Sequence, residues 1–432
     1  MVGGETNKNF NDMRFHLIVA GLIFAQISLG AWVYRTYWPA NTAIAQENTF
    51  TGLKTAAFSK EVTVAAARFE QYEPFIKGKR LGLVVNHTAM VANSHLVDTL
   101  LKRGHTVQRI FAPEHGFRGE ADAGEHVSNS VDKATQIPIV SVYGENKKPK
   151  AADLADLDLL IFDIQDVGVR FYTYTSTMTY IMEACAELNK PLLILDRPNP
   201  NGHIVDGFIL EKQYRSFVGL HPVPILHGLT VAEYARMING EGWLSNGKSC
   251  NLYYVPCDNY NHQVYYQLPH RPSPNLKDMR AVYLYASLCF FEGTSVSVGR
   301  GTDKPFQQYG HPDFSPAQCS YSFSPSPQSG AKNPLHNGKR CYGADLSQIS
   351  FDELQKRKGL DLNYIVTAYQ WASDKNNFFL KSNFLELLAG SSRLRESLKK
   401  GLKPEQIAAL WKDEVSEYKL LRKRYLLYAD FE

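Results

Sequence analysis

LDLLIFDIQDVGVRFYTYTSTMTYIMEACAELNKPLLILD, residues 157–196, decides the fold. LDLLIFDIQ (157–165) is a short apolar run, TSTMTYIMEACAEL (175–188) carries helical spacing, and PLLILD (191–196) is apolar again. Strand, helix and strand at this spacing form the repeating unit of a parallel sheet covered by helices. The same alternation extends toward the N-terminus. RLGLVVN (80–86) reads as a buried strand, SHLVDTLLKRG (94–104) as a helix closed by Gly104, and HTVQRIFAP (105–113) as the next strand. IPIVSVY (137–143) follows, with a short helix near 149–156. The pattern predicts an α/β fold: a doubly wound, Rossmann-like parallel sheet with helices on both faces.

Toward the C-terminus the rhythm breaks at the Pro-rich LPHRPSPN (268–275). The sheet domain is therefore expected over 62–278 and a smaller α+β auxiliary domain over 279–432. AVYLYASLCFF (281–291) opens the second block, with Cys289 in an apolar strand pattern. Residues 315–343 are rich in Ser, Pro and Gly and read as a long surface loop. EVSEYKLLRKRYLLY (414–428) predicts an amphipathic helix covering the second domain's core.

Composition narrows the function. The chain has 432 residues, 44% hydrophobic and 21% charged, enough for two or three cores and unlike fibrous or low-complexity sequence. Lys plus Arg number 47 against 43 for Asp plus Glu, so no global charge attracts nucleic acid. LIVAGLIFAQISLGAWVY (17–34) runs without a charge and is flanked by Lys8, Arg14 and Arg35. It predicts a signal peptide cleaved after Ala45 or an uncleaved inner-membrane anchor, with 46–61 as a linker. Either way the protein is expected to be exported, to periplasm or medium, and any membrane contact to run through this segment alone. Of six cysteines, Cys185 and Cys289 read as buried thiols, while Cys250 with Cys257 and Cys319 with Cys341 are candidate disulfides. No CxxC occurs.

In open α/β sheets ligands bind beyond the carboxyl ends of the strands. Those positions here are markedly polar. The first strand leads into Asn86, His87 and Thr88; the second into Pro113, Glu114, His115 and, beyond Phe117, Arg118. The strand at 157–165 leads into Gln165, Asp166, Arg170 and Tyr172, with Asp163 in its last turn, and PLLILD leads into Asp196, Arg197 and Asn199. Local roles compete at several of these. Asp196 is placed to cap a turn, Asp163 and Asp166 to cap the following helix or pair with Arg170, and Asn86 with His87 to close a βα turn. Glu114 fits neither a helix face nor a cap. No GxGxxG, GxSxG or HExxH occurs, which argues against dinucleotide binding, a serine hydrolase and a zincin; no cofactor and no metal is expected. Carboxylates, amides, arginines and tyrosines converging on one edge suit a sugar site, with Glu114 as the carboxyl that assists the leaving oxygen if Pro113 and Phe117 partly desolvate it. His115 and Asp166 stand beside it as further catalytic candidates. A non-catalytic sugar-binding protein and a metal-dependent hydrolase of another bond are the competing readings.

Six blocks in order, NHT (86–88), APEHGFRG (112–119), FDIQDVGVRFYTY (162–174), LDRPNPNG (195–202), PSPNL (272–276) and FEGTSVSVGRGTDKPFQ (291–307), resemble the NamZ-type exo-β-N-acetylmuramidases. The resemblance covers about 62–428. It implies a Rossmann-like catalytic domain beside a smaller auxiliary one, with an active cleft between them. The implied activity is release of N-acetylmuramic acid (MurNAc) from the non-reducing end of peptidoglycan fragments such as MurNAc–GlcNAc, where GlcNAc is N-acetylglucosamine. The catalytic Glu of the family's P-E-H-G-F block falls on Glu114. With that substrate, Arg118, Arg170 and Arg300 are candidates for the lactyl carboxylate, a natural partner for a planar guanidinium. Glu292, Arg300 and Asp303 close the cleft from the second domain. Asp163, Asp166, Asp196, Glu292 and Asp303 are the candidates for a second catalytic carboxyl.

Overall fold

Five-residue apolar runs that alternate between two faces build the sheet. A computed structural model describes residues 61–117 and 129–432; the N-terminal apolar run, its cleavage stretch and Arg118 lie outside the described residues. The main strands are β1 (Arg80–Val85), β2 (Thr106–Ala112), β3 (Ser130–Val131), β4 (Pro138–Ser141), β5 (Leu159–Asp163), β6 (Pro191–Leu195) and β7 (Asn251–Val255). Their spatial order is β3-β4-β2-β1-β5-β6-β7. All neighbours pair in parallel except β3 with β4. Leu81, Leu83, Val85, Ile161 and Leu193 face one apolar cluster, and Val84, Leu160, Phe162, Leu192 and Ile194 face the other. Helices cover both faces: α1 (Phe69–Ile76) and α2 (Leu96–Lys102) on the first, α4 (Tyr174–Glu187) and α5 (Val231–Gly240) on the second, while the short α3 (Ala151–Leu154) leads into β5. The doubly wound fold read from the sequence is the fold observed. The chain starts at the sheet's centre, moves out through β2 and β4, and returns to β5 on the other side of β1. The crevice beyond the carboxyl ends of β1 and β5 is thus the topological switch point.

The second half departs from the sequence reading in three places. AVYLYASLCFF is not a strand. Met279–Leu288 forms helix α6, capped by the Asp278 side chain on Ala281 N, and Cys289–Gly293 extends it as a 3₁₀ turn. Almost every residue of α6 is buried, so the run has no polar face to betray a helical period. Residues 315–343 are not a structureless loop either. β8 (Gln308–His311), β9 (Tyr321–Phe323) and β10 (Cys341–Asp345) form a small antiparallel sheet in the order β8-β10-β9. The third correction concerns the C-terminus. The final helix, Lys412–Lys423, fastens onto the sheet half: Arg422 Nε donates to Gly228 O and Tyr418 Oη to His227 O. The YLLY tail continues along α5 and β6. Leu427 N donates to Glu233 Oε1 at 2.8 Å, and Tyr428 Oη to Asp196 Oδ2 at 2.6 Å. Amphipathicity announced a docking helix but carried no information about which core it would dock on.

One apolar cluster runs from Val84 and Phe162 of the sheet through Tyr285 and Phe290 of the second half to Trp411, so the two halves share a core. All six cysteines are buried free thiols, which corrects both candidate disulfides. Among the described residues no helix is long and apolar enough to cross a membrane.

Asp196 lies wholly buried beneath the tail, where desolvation pushes its carboxyl up to about 7 despite the Tyr428 hydroxyl and Ala232 N–H donated to it. The folded state therefore holds a proton that the unfolded chain releases near pH 4. Its stabilisation is complete below that pH, declines as pH rises, and is gone above about 7. Asp196→Asn mimics the protonated acid. The melting temperature of the native chain should fall by about 2–5 °C between pH 5 and 8 through this group, and the variant, scanned by calorimetry, should lose that part of the slope.

Candidate active site

β2 ends at Ala112, and the backbone then turns sharply. Gly116 N bonds to Pro113 O at 2.9 Å, with His115 (φ 69°) and Gly116 (φ 75°) both left-handed. The turn lifts the Glu114 side chain off the end of the sheet. Two hydroxyls grip it: Tyr143 Oη donates to Oε1 at 2.8 Å, and Thr173 Oγ1 donates to Oε2 at 2.6 Å. Tyr143 follows β4 and Thr173 precedes α4, so the carboxyl is fixed from three separate strand-end segments.

Glu114 opens onto a cavity of about 850 Å³. Its sheet-side wall is His115, Tyr143 and Phe171–Tyr174, with Phe217 on a neighbouring loop. The opposite wall belongs to the second half: Tyr285, Glu292, Arg300, Phe306 and the loop 330–335 with Lys332 and Asn333. The Tyr172 ring meets Tyr174 edge-on at 4.8 Å, and its hydroxyl donates to Pro272 O at 2.7 Å. Arg300 Nε donates to Glu292 Oε1 at 2.6 Å, and its guanidinium lies 5.1 Å from the Phe306 ring centroid. Arg300 is partly buried, and the Glu292 carboxylate beside it holds its pKa above the usual value against the desolvation.

Of the described residues expected at the site, Glu114, His115, Tyr172, Glu292 and Arg300 line this cavity and the others do not; Arg118 lies outside the described residues. Arg170 is fully buried and donates to three carbonyls, Phe208 O, Val223 O and Leu388 O, so no face is left for a substrate carboxylate. Arg197 clamps Asp163 through Nε at 2.5 Å and Nη2 at 2.9 Å. Asn86 Oδ1 accepts from Thr88 N and Oγ1, closing the turn after β1. His87 Nε2 meets Arg271 O at 2.8 Å, and burial lowers its pKa. Gln165 spans Asp166 O and Pro198 O, and Asn199 donates to Leu229 O while accepting from Asn201 N. These amides knit the loops beneath the cavity together. Asp303 is exposed and off the cavity wall.

Asp166 belongs to this support. Its Oδ1 accepts from Gly168 N at 2.6 Å, Oδ2 has no partner, and burial raises its pKa to about 7. Gly168 is left-handed at φ 76°, and a Cβ there would sit 2.1 Å from Asn199 Oδ1, so the loop admits no side chain at that position. Of the five carboxyls considered for a second catalytic role, Glu292 alone lines the cavity. Among the described residues no three His, Cys, Asp or Glu side chains are grouped to hold a metal ion.

Sequence reasoning missed Tyr143, Phe217 and Lys332, and it placed Thr173 at a strand end without giving it a role. Tyr143 follows a strand end and was reachable by the rule that found Glu114. Phe217 and Lys332 come from loops without period, and only the folded chain brings them to the site.

Two family models match the chain: the N-terminal domain of the exo-β-N-acetylmuramidase NamZ over residues 81–280 and its C-terminal domain over 283–428. The chain is 34% identical over 393 residues to the peptidoglycan β-N-acetylmuramidase NamZ of Bacillus subtilis, covering 87% of this chain and 93% of that protein. Two crystal structures of DUF1343-family proteins from Bacteroides fragilis share the fold. One is 47% identical with a TM-score of 0.80, covering 86% of this chain and all of its own. The other is 27% identical with a TM-score of 0.73, covering 85% and 99%. Both halves of the chain are thus accounted for by one family in one order: the chain belongs to the NamZ exo-β-N-acetylmuramidase family and is a glycosidase.

Proposed function

We propose that the enzyme releases N-acetylmuramic acid from the non-reducing end of peptidoglycan fragments, with Glu114 as the catalytic acid and base. The observation that carries this reading is the placement of Glu114: a carboxyl on the cavity wall, held by Tyr143 and Thr173, in a pocket large enough for sugar rings that a second carboxyl, Glu292, also lines. Glycosidic cleavage needs a proton delivered to the leaving oxygen while positive charge grows at the anomeric carbon. Two hydroxyl donors leave the Glu114 carboxyl little rotational freedom, which favours a productive approach. Aromatic rings at Tyr172, Tyr174, Tyr285 and Phe217 present apolar faces to the C–H surfaces of a pyranose. Glu292, anchored by Arg300, is the carboxyl placed to stabilise the developing charge or to activate water, with the 2-acetamido group of the substrate as the other nucleophile available.

Arg300 takes the lactyl carboxylate in this scheme. Its Nε is committed to Glu292, which leaves the terminal nitrogens to form a bidentate pair with an anion. MurNAc differs from GlcNAc by that carboxylate, so this contact sets the preference. The role also needs export: the apolar run at 17–34 would carry the enzyme to the periplasm or the medium, where the polymer lies.

Three outcomes test the proposal. Glu114→Gln keeps the shape and removes the transferable proton; turnover of a chromogenic β-MurNAc glycoside should fall about 10²-fold or more, and a nearly active variant would refute the assignment. Arg300→Lys keeps the charge but loses the planar fork. KM for the β-MurNAc glycoside should rise about 10-fold, narrowing its advantage over the matching β-GlcNAc glycoside. Hydrolysis by the native enzyme should be unchanged after dialysis against EDTA, whereas loss of activity restored by a divalent ion would favour a metal-dependent mechanism.

A further inference from the structure

A second cavity, about 480 Å³, lies apart from Glu114. It is built from Leu210, Lys212, Arg215, Leu220–Pro222 and Gly242–Asn246. A tight hairpin divides the two cavities. Ser216 and Gly219 exchange backbone hydrogen bonds at 2.9 and 3.0 Å; Phe217 and Val218, at the tip, line the first cavity, while Arg215 and Leu220, at the base, line the second. Both cavities therefore border one hairpin.

The chemistry of the second cavity is specific. Its wall carries the Trp243 indole stacked on the His221 imidazole, with centroids 5.0 Å apart and planes 14° from parallel. His221 is buried, and burial, reinforced by Arg215, pushes its pKa down to about 3, so the ring is neutral. Its tautomer follows from one bond. The Thr179 hydroxyl donates to Thr175 O, so it accepts at 2.9 Å from His221 Nε2–H, leaving Nδ1 as an acceptor. Lys212 and Arg215 are exposed, and neither has a salt-bridge partner among the described residues. The nearby acids are engaged elsewhere. Glu211 is held by Ser391, Arg393 and Gln213, and Glu183 by Ser245 and Lys148. An aromatic platform beside two unpaired cations suits a ligand with an apolar ring face and a carboxylate.

We infer that this second cavity is a distal subsite for the peptidoglycan chain, in which Trp243 supports a sugar ring while Lys212 and Arg215 bind a carboxylate of the chain. The inference rests on the proposed function, which supplies the polymer. Two carboxylates share the required chemistry: the lactyl group of a bare glycan and the stem peptide of a substituted one.

The test compares substrates of different reach. A chromogenic β-MurNAc glycoside fills only the first cavity, whereas a peptidoglycan tetrasaccharide, prepared bare or with stem peptides, extends beyond it. In the full chain carrying Lys212→Glu and Arg215→Glu, kcat/KM for the glycoside should stay within about twofold, and for the tetrasaccharide should fall about 10-fold or more through KM. Added salt should raise the tetrasaccharide KM of the native enzyme but not of the double variant. Which tetrasaccharide shows the loss identifies the carboxylate. Equal effects on glycoside and tetrasaccharide, or no effect on either, would overturn the subsite. If the native enzyme cleaves neither substrate, the proposed function fails instead, and the subsite is read directly: the tetrasaccharide should shift the Trp243 indole N–H resonance, and an unmoved resonance would overturn it.

Discussion

A single guanidinium holds the two halves in the relation that creates the cavity. Arg170 is completely buried, meets no carboxylate, and donates through Nη1 and Nη2 to carbonyls from three segments: Phe208 and Val223 beside the sheet, and Leu388 in the second half, while its Nε has no partner. Burial without a counter-charge lowers its pKa to about 10, still high enough to keep it cationic at neutral pH. Charge-assisted bonds of this kind, in a dry environment, are strongly directional. The packing around it leaves no slack, since a Cβ on Gly390 would lie 2.5 Å from Arg170 Nη2 and one on Gly219 would lie 3.3 Å from its Cδ. Arg170 stands next to Phe171–Thr173, and Leu388 lines the same cavity. Both walls are thereby referenced to one side chain.

From that clamp the order of the site follows outward. The loop after β5 carries Arg170, the aromatic wall and Thr173, and Thr173 in turn orients Glu114. Below it, the Asp163–Arg197 pair and the amides of Gln165 and Asn199 make the loop bases rigid. The residues that touch the cavity are supported by a layer of equally polar residues that do not. Chemistry at the strand ends therefore costs the fold little conformational freedom once this layer has formed.

How much of this was legible in the sequence depends on the physical signal each feature leaves. The parallel sheet was legible because strands buried on both faces are written as unbroken apolar runs, such as LDLLIF and PLLIL. Glu114 was legible because a carboxylate between Pro113 and His115 at a strand end has no routine structural use. Sequence position gave the edge of the sheet but not the depth beneath it, so Arg170, Asp196 and Asn199 looked like ligand contacts when they are the foundation. Helix α6 was misread because burial on all sides erases the 3.6-residue period. The destination of the C-terminal helix was misread because docking depends on partners such as His227 and Gly228, nearly two hundred residues away in sequence.

The central claim is that one cavity, walled by both halves and served by Glu114, removes a terminal sugar of one kind. Mass spectrometry of products from the defined disaccharide MurNAc–GlcNAc, alongside its reverse isomer GlcNAc–MurNAc, addresses it most directly. The account predicts free MurNAc and GlcNAc from the first and no cleavage of the second. Cleavage of the reverse isomer, or an intact first disaccharide, would contradict it.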